Sequence, residues 1–117
     1  MNVVVLQGVA SSAVDRRELA SGATVWSFDV TTKGGADRSH SVPVSWVDPP
    51  ARADVEVGAD VVVLGTVRRR FFRAGGSTQS RTEVLAESVV VGRDRRRRSK
   101  LMAEALARVQ AESSSLG

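Results

Sequence analysis

The sequence predicts an all-β fold, a small barrel of five strands followed by a basic segment and a short helix. Three observations carry that expectation: short apolar runs dominated by valine, turn signals between them, and no long helical pattern before Gly92. The apolar fraction is 42%, mostly Val and Ala, with five aromatic residues and neither Ile nor Tyr, which favours strands over a helical bundle. At 117 residues the chain fits one domain, 1–92, plus a tail, 93–117.

The first strand is expected over 2–10, apolar on both faces until Gln7 and Gly8. Residues 11–22 are polar and charged and end in the turn signal Ser21-Gly22. Residues 24–32 alternate: Trp26, Phe28 and Val30 take one face, read as core, and Val25, Ser27, Asp29 and Thr31 the other. Trp26 reads as core or as a subunit interface. Residues 33–39 are expected to form a flexible, glycine-rich loop. A third strand over 40–47 puts His40, Val42, Val44 and Trp46 on one side, and Pro43 marks it as an edge or a bulge.

Asp48-Pro49-Pro50 stops that strand, and 51–57 holds at most a helical turn. The fourth strand, 61–72, opens apolar and ends in three arginines and two phenylalanines. Alternation places Val62, Leu64, Thr66, Arg68, Arg70 and Phe72 on one face and Val61, Val63, Gly65, Val67, Arg69 and Phe71 on the other. Gly65 points to a bulge or bend that curls the sheet. A Gly75-Gly76 turn leads to the fifth strand, 81–91. Beyond Gly92, residues 93–100 carry six positive charges against one negative; a helix is expected over 101–111, with Ser99 as its N-cap and a stripe of Leu101, Met102, Ala105, Leu106 and Val109. Ser113-Ser114-Ser115 begins a fraying tail.

The net charge of +4 and pI of 10.9 point to an acidic partner, nucleic acid first. Without Cys there is no disulfide and no thiolate metal site, and a single His builds no zinc site. No apolar run approaches the roughly 20 residues of a membrane span. The N-terminus lacks the charged start of a secretory signal, so the cytoplasm is the expected compartment. Paired carboxylates, a phosphate-cradling Gly-Lys-Ser/Thr loop and a metal-ligand cluster are all missing from the pattern; the expectation is a binding protein with no catalytic residues, metal or cofactor.

Taken in order, Asn2-Val3-Val4-Val5-Leu6-Gln7-Gly8, Arg17-Glu18-Leu19-Ala20-Ser21-Gly22 and Val25-Trp26-Ser27-Phe28-Asp29-Val30 resemble the bacterial single-stranded DNA-binding protein family. The strongest match runs from Gly58 through Gly65 to Arg68-Arg69-Arg70-Phe71-Phe72 and closes with Arg81-Thr82-Glu83-Val84. The resemblance spans roughly 2–91 and implies an OB-fold. It also implies sequence-tolerant binding of single-stranded DNA, in support of replication, repair or recombination, by a homo-oligomer, dimer or tetramer. Phe72 matches the family's base-stacking aromatic, and Arg68 and Arg70 match its backbone contacts. Trp46 falls at a second stacking position, with barrel core as the competing reading. His40 sits where many members place another aromatic, and Arg73 completes the candidate nucleic-acid contacts.

The sequence departs from the family in three places. The loop after strand two is short, the segment before strand four carries Pro49-Pro50 in place of a full helix, and the acidic, Phe-ended tip has no counterpart in Ser-Ser-Ser-Leu-Gly. Arg95–Arg98 read either as nucleic-acid contacts or as a solvated linker. An alternative function is a protein-assembly module that docks through the basic face and Leu101, Met102, Leu106 and Val109; an RNA-binding variant of the first reading also stays open at this point.

Overall fold

Six strands and one helix follow one another: β1 (Val4–Ala10), β2 (Asp15–Glu18), β3 (Thr24–Lys33), β4 (Ser39–Val47), β5 (Asp60–Ala74), β6 (Ser77–Val91) and α1 (Arg95–Leu116). The computed structural model describes residues 1–33 and 38–116; most of the loop expected over 33–39 lies outside the described residues. The strand order β1-β5-β6-β4-β3 closes on itself where β1 meets β3 at Val9–Thr31 and Ala10–Val30. Every neighbour is antiparallel except β4 and β6, which run parallel over Val44–Trp46. The five expected strands are therefore the five barrel staves.

The barrel interior is built by alternation. Phe28 and Val30 of β3, Val44 and Trp46 of β4, Val61 and Val63 of β5, and Val84, Ala86 and Val89 of β6 form one buried cluster. Val55, in the segment between β4 and β5, is 5% exposed and joins the cluster. That segment forms turns and no helix, so one apolar side chain closes the barrel where the sequence left room for a helical turn. Pro43 pairs with Asp29 of β3 just before the β6 pairing begins at Val44, which accommodates its missing N–H at a local edge.

Three features differ from the sequence expectation. β2 is a short strand inside the segment read as a loop; its four residues Asp15-Arg16-Arg17-Glu18 are all exposed, so no apolar alternation announces it. It pairs with the start of β3, while the chain bends at Ser11 and Ser12, whose amide and hydroxyl bond the backbone of Asp29 at 2.9 and 2.8 Å. β5 and β6 run on past the barrel as a two-stranded ribbon, paired to Ala74–Ser77 across Gly75 and Gly76, both at positive φ. The polar stretch 77–80 carries no core-facing signal, so β6 begins four residues before the expected start.

The helix is longer than expected at both ends, Arg95–Leu116 in place of 101–111, so the serines read as a fraying tail belong to it. Asp94, not Ser99, is its N-cap: Oδ1 accepts the amides of Arg96 at 3.0 Å and Arg97 at 3.3 Å. Arginine is a good helix former, so the basic run becomes the first turns of α1 and not an extended linker. The helix lies on the outside of the barrel, with Leu101 and Ala105 buried against Val62, Leu64 and Val90. Met102 and Leu106, expected on the same stripe, are exposed. No described helix is long and apolar enough to cross a membrane.

A bulge does sit at Gly65, but the extra residue belongs to the partner strand. Leu64 pairs with Ser88 and Gly65 with Ala86, leaving Glu87 unopposed. Glu87 points outward and accepts from Arg108 of α1, a hydrogen bond that raises the Arg108 pKa above its ordinary value. Gly65 is needed for a separate reason: a Cβ there would run into the Leu85 carbonyl of the adjacent strand.

Candidate nucleic-acid interface

The outward row of β5 begins under α1 and ends in the open. Val62 and Leu64 are covered by Leu101. Past Thr66 the same row carries Arg68, Arg70 and Phe72, and the facing residues of β6 are Glu83, Arg81 and Gln79. Asn2 marks the exit from the barrel: its side chain bonds both the N–H and the C=O of Val67, at 2.9 and 2.7 Å.

Glu83 is the centre of this surface. It is only 3% exposed although it lies on the outside of the barrel. Ser45 Oγ donates to its Oε2 at 2.5 Å, and Arg68 Nε donates to its Oε1 at 3.2 Å. Arg70 Nε stands 3.3 Å from the same Oε1, an ion pair without the angle of a hydrogen bond. A buried carboxylate needs such partners to offset its lost hydration. Arg70 in turn sits over the Phe72 ring, 5.6 Å from its centroid, within cation–π range.

Directly opposite Arg70 is Arg81, a like-charge cross-strand pair that is unfavourable by itself. Arg81 reaches Asp29 Oδ1 at 3.5 Å. Three guanidinium groups thus meet two carboxylates, leaving one net positive charge beside an exposed ring. The reverse side of the ribbon presents Arg69, Phe71 and Arg73; Phe71 is 67% exposed against 36% for Phe72. At the far end of β5, Arg93 Nε donates to Asp60 Oδ2 at 2.8 Å. This bond holds the Asp60 carboxyl below the usual carboxylate range and raises Arg93.

Among solved structures, the chain is similar to the dimeric N-terminal domain of PriB protein from Thermoanaerobacter tencongensis. The two are 17% identical with a TM-score of 0.66, and the match covers 80% of this chain and 98% of that one. The barrel is an OB-fold. No family model matches the sequence, and no curated protein matches it.

On the OB-fold, the residues singled out from the sequence separate into groups. Arg68, Arg70 and Phe72 come together as one outward face. Arg73 lies on the reverse side, its Nη2 donating to the Gly76 carbonyl at the ribbon tip at 3.3 Å. His40 is exposed, but strand alternation puts it on the side of β4 opposite Ser45, away from the Glu83 cluster. Trp46 is a correction: it is 6% exposed and packs edge-on against Trp26, with ring centroids 5.9 Å apart, so it is a core residue and not a stacking platform. Its apolar strand-mates Val42 and Val44 were the signal for this. Trp26 is half-buried against the same core, with Arg16 4.5 Å above its ring.

Two residues of the surface escaped the sequence reading. Arg81 opposes Arg70 only because of the hairpin register, which the Gly75-Gly76 turn would have supplied if β6 had been started there. Phe71 falls on the inward row of the strand, which signals core; the ribbon has already left the barrel at that point.

Proposed function

We propose that this OB-fold binds single-stranded DNA with little sequence preference, on the outward face of β5 and β6. The observation that carries the reading is the placement of Arg68, Arg70, Arg81 and an exposed Phe72 on one face of a two-stranded ribbon. Guanidinium groups hold phosphates, and a ring in reach of them stacks a base of any identity. Phe71 on the reverse side gives a flexible strand a second ring as it passes the ribbon. The similarity to a PriB domain supports the same reading at the level of the fold, and the dimeric state of that domain supports a homo-oligomer. Service in replication, repair or recombination, in the cytoplasm, follows as the role of such a binder.

Fluorescence anisotropy on oligo-dT, a matched duplex and oligo-U tests the proposal. Single-stranded DNA is expected to bind more tightly than duplex, because only an unpaired base reaches a ring. Equal affinity for strand and duplex would reduce the surface to general charge attraction. A preference for oligo-U would make it an RNA-binding face.

A further inference from the structure

Two sets of cations in this protein differ in what neutralises them. On the outward face of the ribbon, Arg68 and Arg70 are paired with Glu83, and Arg81 with Asp29, while Arg69 and Arg73 on the reverse side have no carboxylate partner among the described residues. At the head of α1, the side chains of Arg95, Arg96, Arg97 and Lys100 take part in no hydrogen bond or ion pair among the described residues, and neither does that of Arg52. Most of the unneutralised positive charge therefore stands away from the face that the sequence motif points to.

The side chains at the head of α1 suit a helix, but their charges do not stabilise this one. Positive charges in the first turns of a helix oppose its dipole, and Arg96 and Lys100, four apart, repel each other. They are also drawn together from separate elements. Arg97 and Lys100 of α1 and Arg52 of the β4–β5 segment line one open cleft of 480 Å³, with Pro50 on its wall. The carboxylate at that cleft, Glu104, accepts from Ser88 Oγ at 3.1 Å and keeps its charge, so three cations there stand against one anion.

We infer that Arg52, Arg97 and Lys100, flanked by Arg95 and Arg96, form a second phosphate-binding surface for the same single strand that the ribbon holds. This inference rests on the single-strand reading above. Both surfaces lie on the outward side of β5 and β6, since Leu101 covers the row that later carries Arg68 and Arg70. The Arg93–Asp60 ion pair ties the region just before α1 to the start of β5. Val90 lines the cleft and pairs with Val62, and from Val62 to Arg70 the strand covers about 26 Å at ~3.3 Å per residue. A stacked strand advances ~3.4 Å per phosphate, so about eight nucleotides join the two surfaces. The ribbon supplies stacking, and the head of α1 supplies the larger share of counterion release.

The test is a salt titration of the full chain carrying Arg95→Gln, Arg96→Gln, Arg97→Gln and Lys100→Gln, on oligo-dT of about 6 and about 30 nucleotides, below and above the bridging length. On the long strand the log K against log salt plot should become shallower by about 2–3, four contacts at roughly 0.7 each. On the short strand the variant and the wild type should coincide. The thermal midpoint of the variant should equal or exceed that of the wild type, because the lost charges oppose the helix dipole; should the variant misfold, Arg52→Gln with Lys100→Gln replaces it, with an expected change of about 1.4. An unchanged slope on the long strand, with the wild type binding tightly, overturns the second surface. Equal loss on both lengths overturns it too, by making the head of α1 the primary site. A wild type that ignores both strands but binds polyglutamate through these residues refutes the single-strand reading itself and assigns the surface to an acidic protein.

Discussion

Glu83 and Arg68 face each other across β5 and β6, Oε1 to Nε at 3.2 Å, with the carboxylate buried and the guanidinium 41% exposed. The carboxylate also holds Arg70, so one buried negative charge restrains two of the proposed phosphate contacts. Glu83→Gln keeps the shape and removes the charge. It should cost about 1–2 kcal/mol of stability, at the low end for charged hydrogen bonds because both arginines can turn to solvent. Binding to oligo-dT should tighten at low salt, with a slope steeper by up to about 1.4 as two guanidinium groups become free. Chemical denaturation and anisotropy read the two effects separately.

Trp46 and Phe72 should respond in opposite ways. Trp46→Ala empties a core position and should destabilise the barrel by about 3–5 kcal/mol. Phe72→Ala should leave the unfolding midpoint nearly unchanged and weaken single-strand binding by about 1–3 kcal/mol. A Phe72→Ala protein that binds like the wild type would remove this ring from the interface.

Gly65→Ala should be destabilising although alanine is small. Its Cβ meets the Leu85 backbone, which cannot move aside as a side chain can, and overpacking of this kind costs about 1–3 kcal/mol. Thermal unfolding of the single variant measures it.

The Arg93–Asp60 pair gives a pH signature. The folded-state pKa of Asp60 lies below its ordinary value of 3.8, chiefly through the Arg93 hydrogen bond. Folding therefore favours the ionised carboxylate, and the contribution is present above pH 3.8 and fades as the pH falls through the lower folded value. The midpoint difference between the wild type and Arg93→Gln should be constant well above that pH and shrink towards zero below it. A difference that grows on acidification would mean that Asp60 is not the group involved.

Apolar runs, alternation and turn residues were enough to locate the five barrel staves, because each stave must present small apolar or aromatic side chains to one core. The same pattern placed Arg68, Arg70 and Phe72 on one face, since strand parity is a local property. It gave no sign of β2, whose exposed charged residues bury nothing, or of the true start of α1, where a run of arginines reads as a linker until Asp94 caps it. Tertiary structure alone decided how far the core reaches along each strand. Trp46 and Phe71 both sit on inward rows, yet one is sealed inside the barrel and the other stands on a ribbon beyond its rim. Parity tells which way a side chain points; only the closed sheet, with its extra residue at Glu87 and its helix over Val62 and Leu64, determines whether anything is there to meet it.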